Sequence, residues 1–199
     1  TAMPTDTKNK IARAARAILA KDGYGALTMR GVASACGISP GNLTYHYPSV
    51  HDLMVAAMNL GLEEYQQQIA SYVKKQPTEQ DKTLADLVTF FIHDSLSPRT
   101  SAIMIEFWAL AQHDPSKAAF LDQTYQKASD MIVDALLSIE PDIDRATANQ
   151  VASTLLVFSE GSTALFSRKP LLAFDENALI QIAVATLRQM INNAKNDGS

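Results

Sequence analysis

The side chains best suited to chemistry form a short run between residues 39 and 47. The run contains the amide of Asn42, the hydroxyls of Thr44 and Tyr45, and the imidazole of His46. An asparagine amide can hydrogen-bond the edge of an adenine base. Hydroxyls, imidazoles and the N–H groups of a helix N-terminus suit phosphates. These residue types therefore predict hydrogen bonding to a nucleic acid.

Two short helices joined by a tight turn are predicted to position this run. Thr28 is a good N-cap for the first helix, which ends near Cys36. Gly37 follows, where the chain must reverse and a positive φ is expected. Ser39 can cap the second helix, and Pro40 suits the first helical turn because its missing N–H has no partner there. Two helices with such a turn form the helix-turn-helix pattern.

The residue types on the surface of the second helix distinguish a DNA-reading element from a purely structural corner between two helices. It lacks the Glu and Lys pairs of an ordinary solvated helix, and its first residues are small enough for close approach to base edges. In the structural alternative, Tyr45 and Tyr47 are core rings. The residues predicted to be exposed are Pro40, Gly41, Asn42, Thr44, Tyr45 and His46.

The distribution of charge also directs attention to the N-terminal part of the chain. The net charge is −4, yet residues 1–53 hold six Lys and Arg against three Asp, a net +3. The remaining residues hold 11 basic and 18 acidic side chains, a net −7. A basic block on an acidic body favours a polyanionic partner for the basic block, although a difference of this size can also arise by chance.

Apolar spacing predicts an all-α protein with no strand-rich region. Breakers such as Gly23, Pro98, Pro115 and Pro141 separate segments that follow helical periodicity. We expect a helix-turn-helix domain over residues 3–50 and a larger helical domain over residues 51–199, linked by the fourth helix. The nine predicted helices cover residues 7–22, 29–36, 40–47, 50–75, 81–96, 100–113, 115–139, 144–167 and 175–194.

The string GYGALTMRGVASACGISPGNLTYHYPSVHDL, together with the amphipathic helix before it, resembles the DNA-binding domain of the TetR family of transcription regulators. The resemblance covers about residues 8–60. It rests on Gly-Tyr, the Thr that opens the second helix, Gly-Ile-Ser, and Leu-Thr-Tyr-His-Tyr. It implies a nine-helix, two-domain architecture and a ligand-responsive homodimeric repressor that binds a palindromic operator.

The same resemblance implies the roles of individual residues. Thr28, Tyr45 and His46 would contact phosphates, and Pro40, Gly41 and Asn42 would face the bases. Arg30, Ser39 and Thr44 complete the predicted DNA-contacting set. Two departures weaken the pattern: Thr44 replaces a tyrosine, and Val50 replaces the lysine that usually opens the fourth helix.

The C-terminal part would bind a small molecule and a second copy of the chain. Clustered aromatic and Met side chains either form the core or line an apolar cavity for an apolar or amphipathic effector of unknown identity. Apolar stripes in the last two helices predict a four-helix dimer interface. The candidate ligand residues are Phe91, Met104, Phe107, Trp108, Tyr125 and Phe158. The candidate interface residues are Leu155, Ser159, Thr163, Leu179, Ile182, Ala183, Thr186 and Leu187.

Other functional classes are less consistent with the sequence. We find no HExxH motif, no glycine-rich phosphate loop and no nucleophile–base pairing, so we expect neither an enzyme nor a metal site, and no cofactor. A single cysteine, Cys36, and the lack of a long apolar run favour a cytoplasmic protein without a membrane partner. A carrier or protein-interaction module that has lost DNA binding remains an alternative, because of Thr44 and Val50.

Overall fold

The computed structural model describes residues 4–75, 80–166 and 175–197. Within these ranges the chain forms nine α-helices and one short 3₁₀ helix, with no strand, as the sequence predicts. None of these helices is both long enough and apolar enough to span a membrane. The helices are α1 (Pro4–Asp22), α2 (Met29–Cys36), α3 (Pro40–His46), α4 (Val50–Lys75), α5 (Gln80–Leu96), α6 (Pro98–Ala111), α7 (Pro115–Ile139), α8 (Arg145–Phe166) and α9 (Glu176–Asp197); the 3₁₀ helix is Tyr24–Ala26.

Local sequence explains where the later helices begin. Asp114, Asp144 and Asp175 each precede a helix and accept hydrogen bonds from backbone N–H groups of its first turn. These carboxylates satisfy amides that have no partner within the helix, and their negative charge suits the helix N-terminus. The predicted breaks at residues 76–78 and 169–170 lie outside the described residues.

The described residues divide into two compact units. Unit 1 contains residues 4–64 and 98–124, and unit 2 contains residues 65–75, 80–97, 125–166 and 175–197. Unit 1 therefore includes α1 to α3, the first part of α4, all of α6 and the start of α7. The predicted division of the chain at residue 50 remains a prediction.

Each unit buries the apolar faces that helical spacing indicates. In unit 1, Ile11, Leu43, Leu53 and Phe107 are almost inaccessible to solvent. In unit 2, Leu, Ile, Val and Ala side chains from α5, α7, α8 and α9, Ile132 among them, form a buried core. Burial of a large aliphatic side chain stabilises the fold by about 1.5–3 kcal/mol. The two cores thus hold the helices in place independently of the exposed surface of α3.

Candidate nucleic-acid interface

A capped glycine turn joins α2 to α3, as the sequence predicts. Thr28 Oγ1 accepts a hydrogen bond from the Gly31 amide at 3.0 Å, and Ser39 Oγ accepts one from the Asn42 amide at 3.2 Å. Gly37 adopts the left-handed conformation, with φ 64° and ψ 34°. This backbone chemistry fixes α3 relative to α2. We call α2, the turn and α3 (residues 29–46) the reading motif.

The outer face of α3 carries the side chains that the sequence places there. Pro40, Gly41 and Asn42 are exposed, and Tyr45 is 84% exposed, so Tyr45 is not a core ring. The ring of His46 is half-buried and lies edge-on to Tyr45, with centroids 5.2 Å apart. Small residues thus lead the helix and aromatic polar residues end it, which suits bases first and phosphates second.

Thr44 has a narrower role than its hydroxyl suggests. Its Oγ1 donates to the Pro40 carbonyl oxygen at 2.9 Å, one turn earlier in α3. While this bond is made, the hydroxyl can accept from a base amino group but has no proton to give to a phosphate. The departure from tyrosine at this position therefore removes a donor as well as a ring.

The N-terminus of α4 is closed by a capping box. The Ser49 amide and hydroxyl donate to Asp52 Oδ2 at 2.9 and 2.6 Å, and the Asp52 amide donates to Ser49 Oγ at 3.2 Å. A carboxylate now occupies the helix end that could otherwise attract a phosphate. The signature Ser-x-x-Asp at residues 49–52 is the sequence signal that could have predicted this box.

A solvent-open groove of about 360 Å³ lies beside the reading motif in unit 1. His46 and Tyr47 line it together with Asp52 and Glu63. Burial, and to a lesser extent the charge of Glu63, raises the pKa of Tyr47. The two carboxylates make this groove unsuitable for a phosphate, so the predicted DNA-contacting surface does not extend into it.

The basic residues of unit 1 are not equivalent. Arg30 is exposed at the start of α2, whereas Arg16 is buried and pairs with Glu64 of α4. A Cβ at Gly61 would lie 3.1 Å from the guanidinium of Arg16, so this glycine leaves space for the pair. Arg16 thus stabilises the packing of unit 1 and contributes little to a surface that attracts phosphates. The other exposed cations of the N-terminal block are Lys8, Lys10, Arg13 and Lys21.

The six candidate ligand residues are divided equally between the units. Phe91, Tyr125 and Phe158 belong to unit 2, and Met104, Phe107 and Trp108 belong to unit 1. Phe91 and Phe107 are buried in the cores of their units. A ligand-binding role for these residues stays a prediction.

Glu160, in unit 2, is an acidic residue that is largely buried. No local sequence signal predicts this burial. Its Oε2 is buried and has no hydrogen-bond partner among the described residues. Burial raises the pKa of Glu160 to about 7, although a hydrogen bond with Tyr125 acts in the opposite direction. Buried acids with perturbed pKa values are candidates for ligand contacts.

The predicted dimer interface needs a correction. Leu155, Ala183 and Leu187 are buried in the core of unit 2, and the hydroxyls of Ser159 and Thr163 donate to α5 carbonyl oxygens. These five side chains contact their own chain and have no surface left for a second copy, so their assignment to the interface was wrong. Ile182 and Thr186 are exposed and Leu179 is half-buried.

Comparison with known proteins extends the likeness beyond the reading motif. Residues 11–57 match the family described as "Bacterial regulatory proteins, tetR family", and residues 81–192 match "BetI-type transcriptional repressor, C-terminal". The chain belongs to the TetR family. This TetR-family protein is a helix-turn-helix transcriptional regulator and not an enzyme.

A sequence relative is consistent with this assignment, and solved structures share the fold. The HTH-type transcriptional regulator UidR of Escherichia coli K12 is 24% identical over 154 residues, which cover 73% of this chain and 75% of UidR. A TetR-family regulator from Mesorhizobium loti has a TM-score of 0.77 at 14% identity and covers 96% of this chain and 98% of its own. A regulator from Saccharomonospora viridis, solved in complex with choline, has a TM-score of 0.67 at 15% identity, with coverage of 94% and 96%.

Proposed function

We propose that this TetR-family regulator is a ligand-responsive homodimeric repressor that binds a palindromic operator. The observation that carries the proposal is the exposed face of α3, held by caps at both ends of the turn. Asn42, with Pro40 and Gly41 beside it, faces the bases. Tyr45 and His46 contact phosphates. The complete DNA-contacting set is Thr28, Arg30, Ser39, Pro40, Gly41, Asn42, Thr44, Tyr45 and His46.

Two copies are needed because one seven-residue helix contacts few bases. The outer faces of α8 and α9 offer a self-complementary surface for this purpose. Val157 is 71% exposed, Leu165 64% and Ile182 58%. Gly161 lies between them in α8 and has open space around its Cβ position, which allows a partner helix to approach closely. Exposed apolar stripes on adjacent helices are typical of a dimer interface.

The effector is proposed to bind in the C-terminal part of the chain. Glu160 and the hydroxyl of Tyr125 can orient a polar group of an amphipathic effector, because an unpartnered buried oxygen gains a hydrogen bond when a donor arrives. The S. viridis regulator, solved with choline, supports a small-molecule site in this fold. The effector would relieve repression by favouring a state in which the two reading motifs no longer match successive major grooves.

Selection of duplexes from random-sequence DNA tests this function and identifies the operator in the same experiment. We expect enriched duplexes to contain two inverted half-sites whose centres lie one helical turn, or a multiple of it, apart. Light scattering of the DNA-free protein should give twice the chain mass of 21.6 kDa. Weak binding that does not depend on sequence would instead favour the carrier or interaction module.

A further inference from the structure

A carboxylate from α6 holds the turn between α1 and α2. The Tyr24 amide donates to Glu106 Oε1 at 3.0 Å, although 82 residues separate the two in sequence. Gly23 has φ 78° and ψ 177°, a region that is essentially restricted to glycine. A Cβ at Gly23 would lie 3.2 Å from Glu106 Oε2. The lack of a side chain at Gly23 therefore lets the carboxylate reach the backbone.

The first turn of α7 reaches the same place. Lys117 Nζ lies 5.8 Å from the centroid of the Tyr24 ring and pairs with Asp114. A cation over an aromatic ring is attracted by the negative face of the ring. Tyr24 is thus held through its backbone by α6 and through its ring by α7, all within unit 1.

This contact lies next to the reading motif along the chain. The 3₁₀ helix ends at Ala26, Leu27 is buried, and the N-cap Thr28 opens α2. Because α2 carries α3 through the capped turn at Gly37, a change in the α1–α2 turn changes the pose of α3. The sequence suggested α4 as the link to the reading motif, and α6 offers a second, direct one.

We propose that Glu106 is a positioning residue that sets the α1–α2 turn and couples α6 to the DNA-reading helix. The inference rests on the proposed DNA binding and adds a route by which α6 regulates it. The coupling is reciprocal: whatever moves α6 changes DNA affinity, and DNA binding changes the surroundings of α6. The Glu106 carboxylate, which bonds the Tyr24 amide and lies against Gly23, transmits the change.

Trp108 makes the coupling measurable, because it is the only tryptophan of the chain and lies two residues after Glu106 in α6. The probe is a duplex that the wild-type protein selects from random-sequence DNA. We expect this duplex to change Trp108 emission in the wild type and in Glu106→Gln, which keeps an acceptor oxygen. In Glu106→Ala the emission change should be lost and affinity should fall about fivefold or more. Glu176→Ala, which removes a half-buried glutamate of unit 2 that pairs with His93, is the matched control and should behave as wild type.

The outcomes separate the inference from the function on which it rests. Wild-type affinity together with a wild-type emission change in Glu106→Ala would overturn the coupling while leaving DNA binding intact. Failure of the wild type to select any duplex would overturn both. If circular dichroism shows that Glu106→Ala is unfolded, hydrogen exchange of the Tyr24 amide in the wild type decides. Slower exchange on DNA binding supports the coupling, and unchanged exchange contradicts it.

Discussion

At the residue scale, Gly37 is required by its backbone conformation. Its φ of 64° lies in the left-handed region, where a Cβ costs roughly 1–2 kcal/mol. We expect Gly37→Ala to lower the free energy of unfolding, measured by urea denaturation, by about this amount. Gly41→Ala is the control, since Gly41 lies in a helix and its Cβ would meet nothing within 4 Å among the described residues. A loss of stability of the same size in both variants would contradict the conformational explanation.

Gly41 has a different requirement, which involves the partner and not the fold. It is exposed in the first turn of α3, and a Cβ there would meet no other part of the described chain within 4 Å. Gly41→Ala should therefore leave the urea midpoint nearly unchanged and weaken binding to the selected duplex, because the methyl group fills space next to base edges. Full DNA affinity in Gly41→Ala would show that this position does not approach the bases.

Glu160 should make stability depend on pH. Its pKa is raised from 4.5 to about 7 by burial, so the folded state binds a proton more tightly than the unfolded chain. Protonation of Glu160 therefore contributes about 3 kcal/mol to the free energy of unfolding. This stabilisation is complete below about pH 4.5 and is lost as the pH rises through 7. Urea denaturation between pH 4.5 and 8 should show this decline in the wild type and a smaller one in Glu160→Gln. The same decline of stability with pH in the wild type and in Glu160→Gln would contradict this role of Glu160.

At the element scale, Glu140 fastens the end of α7 to α9. Its side chain is fully buried and accepts hydrogen bonds from Arg188 and from Lys195, the latter at 2.7 Å. Burial alone would raise the pKa of Glu140, but these two cations more than offset it and the pKa is lowered. The ion pairs of Glu140 thus stabilise the fold at pH values above the ordinary pKa of a carboxyl group. This stabilisation is lost as the pH falls through the lowered pKa of Glu140.

We expect Glu140→Gln to destabilise the protein by at least about 2 kcal/mol in urea at pH 7, because two cations lose a buried partner. The loss of stability should be smaller than for an ion pair in which both partners are fully buried, since Arg188 and Lys195 keep part of their surface in solvent. Glu176→Gln, the same change in an exposed pair with His93, should cost no more than about 1 kcal/mol. Similar losses in both variants would contradict a special role for Glu140.

The sequence predicts elements well where the signals are local. The caps at Thr28 and Ser39 and the glycine turn depend on neighbours within four residues, and they are confirmed. Glu106 could not be found in this way, because no local pattern links it to Tyr24. In α8 and α9, apolar residues lie on both sides of the helix, so periodicity could not show which stripe faces the core. The buried stripe was mistaken for the interface.

At the scale of the whole molecule, the corrected interface can be tested by adding charge. Ile182→Asp places a carboxylate in the exposed stripe of α9, where the proposed dimer would bury it without a partner. Light scattering should then give a mass near 21.6 kDa instead of twice that value. Ser138→Asp, at an exposed position of α7, should stay dimeric. A dimeric Ile182→Asp would exclude this surface as the interface.

The central claim is that α3 reads DNA, and the affinity of Asn42→Ala for a duplex selected by the wild type tests it most directly. Asn42 is exposed, and a lost contact to a base edge is worth about 1–3 kcal/mol, or roughly 5- to 150-fold in affinity. The account predicts a loss of this size on the selected duplex and unchanged affinity for a scrambled duplex. Asn192→Ala, the same change at an exposed position of α9 in the other unit, is the control and should behave as wild type. Equal affinities of wild type and Asn42→Ala for the selected duplex would contradict it.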